Sequence, residues 1–123
     1  MLTNRLAATA TALFLCLALF ACHSPYVETT ITNQTGAAVS LVEVDYPDAS
    51  FGTQQIAGGD TFHYRFKILG PTPGPVKITF TTPDKKAHTA TGPMLDPGQQ
   101  GSLSIILKSG ASVLWTPALS PAH

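Results

Sequence analysis

The chain has 123 residues, with 7 Lys plus Arg against 7 Asp plus Glu, for a formal net charge of +0. Such a balance lacks the basic footprint of a nucleic-acid binder, so no nucleic-acid partner is expected. Charged residues are 11% of the chain, against about a quarter in ordinary globular domains, and the Thr, Ser, Gly and Pro that replace them suit an all-β exported module better than a helical one.

The first residues, MLTNRLAATATALFLCLALFA, carry a single charge, Arg5, ahead of a stretch that is apolar or small as far as Cys22. A basic start, an apolar run and a small residue before a cut make a secretory signal. A membrane-spanning helix needs about 20 strongly apolar residues, and only Leu13–Phe20 is strongly apolar here. At the border, Leu19-Phe20-Ala21-Cys22 resembles the lipobox of bacterial lipoproteins. An aliphatic residue and then a small one precede a cysteine whose sulfur accepts a diacylglyceryl thioether. The resemblance implies cleavage before Cys22, acylation of the freed amine, and stable anchoring, since two or more chains hold where one does not. His23, in place of Asp, implies within the same resemblance the outer membrane of a double-membraned bacterium. The other cysteine, Cys16, leaves with the signal. The mature chain then has no disulfide and depends on its core alone, which residues 22–123 are enough to supply.

From residue 26 onward, alternation and turn signals replace helical periodicity. YVETTITN sets Val27, Thr29 and Ile31 against Glu28, Thr30 and Thr32, and NQTG turns the chain. AAVSLVEVDY is a second strand in which Leu41-Val42 breaks the alternation, the mark of a bulge. PDAS leads into a weaker strand, FGTQQIA, and GGD turns into TFHYRFKIL. There Phe62, Tyr64, Phe66 and Ile68 share the core face, and His63, Arg65 and Lys67 the wet one. GPTPGP is a rigid connection. VKITFTT and AHTATG form a hairpin across PDKK. After the loop PMLDPGQQG come SLSIILK and SVLWT, while PALSPAH, with two prolines, should fray.

Seven to eight short strands at this spacing predict an all-β antiparallel β-sandwich, with a small β-barrel as the alternative. The count and spacing resemble immunoglobulin-like and fibronectin-III-like sandwiches, without the Cys…Trp…Cys core of antibody domains. The expected division is a signal peptide over residues 1–21, a lipidated anchor and tether over 22–25, the sandwich over 26–116, and a flexible tail over 117–123.

Few residues suggest chemistry. His23, His63, His88 and His123 lack metal-ligand spacing, and no metal or other cofactor is expected. Glu43, Asp45 and Asp48 lie at one strand end. Carboxylate oxygens there are a candidate weak calcium site, or the charged end of an edge strand. His63, Arg65 and Lys67, joined by Lys77, form a candidate anion-binding surface, or simply the solvated side of an antiparallel sheet. No G-x-S-x-G elbow is present. The sequence therefore predicts a non-catalytic, lipid-anchored cell-envelope module. It is held to the membrane at Cys22 and contacts another envelope protein or a glycan. The alternatives are a structural or stress-related envelope component without a ligand, and a small hydrolase.

Overall fold

The computed structural model describes residues 25–121. The predicted signal peptide, Cys22, His23 and His123 lie outside these residues. Eight strands form two four-stranded sheets. They are β1 (Tyr26–Gln34), β2 (Val39–Tyr46), β3 (Ala49–Ile56), β4 (Thr61–Lys67), β5 (Gly74–Thr81), β6 (Ala87–Leu95), β7 (Gln100–Lys108) and β8 (Val113–Ser120). One sheet has the order β4-β1-β7-β8 and the other β3-β2-β5-β6. Both sheets have free edges, so the fold is an open β-sandwich and not a closed barrel. Every neighbouring pair is antiparallel except β1 with β7, which run parallel.

The inward faces follow the alternation in the sequence. Val27 and Ile31 of β1, Val44 of β2, Val76, Ile78 and Phe80 of β5, and Leu103, Ile105 and Leu107 of β7 are fully buried between the sheets. Thr29 is the polar exception on β1: it is buried and its hydroxyl has no hydrogen-bond partner. A buried hydroxyl left unpaired costs about 1–3 kcal/mol, and valine has nearly the same shape. Thr29→Val should therefore raise stability by about 1 kcal/mol, read as a higher urea midpoint at unchanged slope.

The bulge forms where Leu41-Val42 breaks the alternation. Leu41 takes a positive φ of 49° and the β2–β5 register shifts between Ser40 and Glu43. The extra residue turns Leu41 outward, 62% exposed, and returns Val42 to the core. Between β2 and β3 the turn is only Pro47-Asp48, with Tyr46 paired to Ala49. Asp48 accepts a φ of 69°, which aspartate tolerates better than most residues.

Two clusters close the open sides of the sandwich. On one side Tyr64 of β4 stacks on Phe51 of β3 with ring centres 4.1 Å apart, and Phe66 of β4 stacks on Tyr46 of β2 at 4.1 Å. Burial lifts the Tyr46 phenol above its ordinary pKa, with a smaller push from Tyr64. The predicted core face of β4 is therefore correct in direction but graded in depth. Phe66 and Ile68 are buried, Phe62 is half-buried and Tyr64 is 40% exposed, because β4 is an edge strand. On the other side the Trp115 ring of β8 lies against Gly92 of β6, where any Cβ would meet it.

The last strand corrects one expectation. Residues 117–120, assigned to a flexible tail, continue β8 through Pro117, which pairs with Leu103, to Ser120, which pairs with Gln100. Proline breaks a central strand because it lacks an N–H, but β8 is an edge and needs donors on one side only.

Strand directions sort the connections to two ends. Tyr26, the Pro47-Asp48 turn, residues 68–73, residues 96–99 and Ser120 lie at one end. Turns 35–38, 57–60, 82–86 and 109–112 lie at the other. At the first end the two loops meet, where the Gly98 N–H donates to the Ile68 carbonyl at 3.3 Å.

Candidate functional site

The basic stripe is on the outer face of β4, as the alternation requires, but its charges are already engaged. Arg65 Nε donates to Glu28 Oε1 on β1 at 2.7 Å, and this hydrogen bond raises the Arg65 pKa. The Arg65 guanidinium lies 4.6 Å, and Lys67 Nζ 4.7 Å, from the centre of the Tyr26 ring. Glu28 and Tyr26 stand beside these cations because they face Arg65 and Lys67 directly in the β1–β4 register. Lys77 does not join them. Strand β5 belongs to the other sheet, and Lys77 is on its outer face, paired in register with Asp45. Spacing along the chain could not reveal this, since the 68–73 connection carries the chain from one sheet to the other.

Exposed ion pairs add little to stability, because water competes for both partners. Arg65→Ala combined with Lys67→Ala should leave the thermal melting temperature nearly unchanged and the far-ultraviolet dichroism intact. A large drop would mean that these side chains cover core residues through their aliphatic stems.

The acidic strand end does not assemble a metal site. Glu43 pairs with Gly52 and Thr79, Asp45 with Ser50 and Lys77, and the Asp48 carboxylate packs against Gly70. No group of three or more His, Cys, Asp or Glu residues able to hold a metal occurs among the described residues. His63 and His88 are on edge strands at opposite sides of the sandwich.

A polar cluster that linear spacing did not suggest sits at the β5–β6 hairpin. Thr82 Oγ1 donates to Asp84 Oδ1 and lies 2.9 Å from His88 Nε2. The Thr82 hydrogen bond holds the Asp84 carboxyl below its ordinary pKa. This contact therefore stabilises the turn at neutral pH and is lost as acid protonates the carboxylate. A hydrolytic relay places the imidazole between hydroxyl and carboxylate, so that it can take the hydroxyl proton. Here the hydroxyl is in the middle: it donates its hydrogen bond to the carboxylate, and the imidazole lies on the far side of its oxygen. That order holds a turn in place and does not make Thr82 a nucleophile. The backbone agrees: the Thr82 N–H donates to the Lys86 carbonyl and the Lys85 N–H to the Thr82 carbonyl, with Lys85 at a positive φ.

Asn33 is the other residue whose role was hidden. Read as the first residue of the NQTG turn, it is in fact fully buried. Its amide nitrogen donates to the carbonyls of Ala37 and Ile56, and its amide oxygen accepts from the N–H and the hydroxyl of Thr35. These contacts fasten the β1–β2 turn to the end of β3.

The four edges differ in how they resist pairing with another chain. Strand β6 carries Pro93 and β8 carries Pro117, and β4 bears Arg65 and Lys67. Strand β3, ASFGTQQI, has neither proline nor charge and pairs only with β2. Over its middle is an open depression of about 570 Å³. Gly52 forms part of it, where a Cβ would strike the Val42 carbonyl, and the exposed Leu41 and Glu43 flank it.

The chain matches no protein-family model, no curated protein and no solved structure.

Proposed function

We propose that this chain is a lipid-anchored module of the bacterial cell envelope that acts by binding and not by catalysis. The anchor follows from the Leu19-Phe20-Ala21-Cys22 motif and its likeness to the lipobox, with the outer membrane as the destination that His23 favours. The likeness to immunoglobulin-like and fibronectin-III-like sandwiches is part of the same reading. Such folds host many functions, so the argument for binding rests on a site and not on the architecture.

The observation that carries binding is the β3 edge. Unpaired strand edges are templates for another strand, and proteins ordinarily blunt them with proline, charge or cover. Strands β4, β6 and β8 are blunted and β3 is not. The proposed partner is an extended segment of another envelope protein that adds to β3 through main-chain hydrogen bonds. Its side chains would meet Leu41 and the depression over Gly52.

The test is recovery of cross-linked partners from membranes by the full chain and by a Gln54→Pro variant. Gln54 is exposed on an edge, so the fold should persist and the melting temperature should stay close to that of the wild type. The proposal expects a partner that the wild type captures and the variant does not. Capture of the same partner by both would remove β3 from the interaction. Capture by neither would favour a structural envelope component without a ligand.

A further inference from the structure

We infer that the end of the sandwich carrying the N-terminus rests on the phospholipid surface, with Leu69 as its apolar contact. The inference builds on the anchor at Cys22 and adds the orientation of the domain and the residues that touch lipid.

Cys22 precedes Tyr26, the first residue of β1, by four positions. A chain spans at most about 3.6 Å per residue, so the backbone of Cys22, two bonds from the thioether, lies within about 14 Å of the start of the sandwich. The end that holds Tyr26 is therefore kept at the bilayer, and the end with turns 35–38, 57–60, 82–86 and 109–112 faces away.

The composition of the near end fits that position. Leu69 is 83% exposed, the most exposed large apolar side chain among the described residues. It is in the 68–73 connection, ahead of Gly70-Pro71-Thr72-Pro73 and β5. Pro71 and Pro73 have no N–H, so this loop loses fewer water-bonded donors when pressed against a lipid surface. Beside it Tyr26 sits with Lys67 and Arg65 over its ring, an aromatic body with a cationic rim of the kind that suits the headgroup layer. Asp48 and Asp96 are at the same end, so the charges there are mixed. Contact is therefore apolar and steric, and does not depend on anionic lipid.

The test uses the lipidated full chain, purified from membranes and inserted in phosphatidylcholine vesicles whose headgroups carry a nitroxide quencher. With Cys22 in thioether linkage, an introduced cysteine is the free thiol for a fluorescent label. Two sites are compared: Thr72→Cys at the near end and Ser109→Cys at the far end. Strands of eight or nine residues separate these ends by ~25–30 Å. The inference predicts loss of most of the fluorescence at position 72, little at 109, and the same result in high salt. Adding Leu69→Asp should restore much of the signal at 72. Vesicle association with equal quenching at both sites overturns the inference and leaves the anchor intact, as does an unchanged signal with Leu69→Asp. Failure of the purified chain to associate with vesicles, with Cys22 unmodified, overturns the anchor itself. Shielding of position 72 from a soluble maleimide in whole membranes, without quenching in pure vesicles, assigns this end to a protein partner and also overturns the inference.

Discussion

Phe66→Ala is expected to remove much of the domain's stability. Phe66 is 4% exposed, with ring centres 4.1 Å from Tyr46 and 5.7 Å from Phe51. Truncating a buried phenylalanine costs about 3–5 kcal/mol, as transfer energy and as the cavity left behind. The aromatic pairs lost with it add to that. A domain of this size is stable by only about 5–15 kcal/mol, and no cysteine occurs among the described residues to offset the loss with a disulfide. The effect should also be steeper than at Phe62, which is on the same strand face but half-buried. A urea midpoint for Phe66→Ala close to that of the wild type would mean that the Tyr46–Phe66 stack is not part of the core.

Asn33→Ala should come close to that loss without removing any apolar surface. The side chain uses both amide hydrogens and accepts twice at its oxygen, so all four of its hydrogen-bonding positions are filled. Its backbone does the same work: the Asn33 N–H donates to the Asp60 carbonyl at 2.9 Å, and the Gly59 N–H donates to the Asn33 carbonyl at 2.7 Å. One residue thus joins turns 35–38 and 57–60 at the far end of the sandwich. Alanine leaves the buried Ile56 carbonyl without this donor, and a stranded buried group costs about 1–3 kcal/mol; the other bonds of the amide are lost with it, although the exposed Ala37 carbonyl keeps the Thr35 hydroxyl at 2.9 Å. The expected loss is about 2–4 kcal/mol, with faster amide exchange in both turns. Asn33→Asp should be no better, because it keeps the acceptors, loses the donors and buries a charge. Stability unchanged by either substitution would show that water replaces the side chain freely.

The parts of this fold that could be read from the sequence are those that depend on neighbours along the chain. Period-two alternation separated Phe66 from Arg65 correctly, and the doublet Leu41-Val42 marked the bulge, because each face of a strand sees one environment. What could not be read depends on strand order. Lys77 looked like an extension of the basic stripe until β5 crossed to the other sheet. Pro117 looked like the end of order until β8 proved to be an edge strand. Asn33 looked like a turn residue because two of the three partners of its side chain are close in sequence, while Ile56 is brought to it by the return of β3. The pairing of Arg65 with Glu28 follows from the register between β1 and β4, residues 37 apart in the chain. Candidate surfaces on a sandwich are made by such registers, and so the open edge of β3 and the end around Leu69 emerged only with the structure.

Membrane attachment rests on one proposed modification, lipidation of Cys22, which mass spectrometry of the chain recovered from membranes reads directly. The account predicts an N-terminal peptide that begins at Cys22, carries a diacylglyceryl group on sulfur and is extracted by detergent, and a Cys22→Ser chain that is neither cleaved nor labelled by a fatty-acid probe. An N-terminal peptide that begins before residue 22, or an unmodified Cys22 thiol in the mature chain, would contradict it.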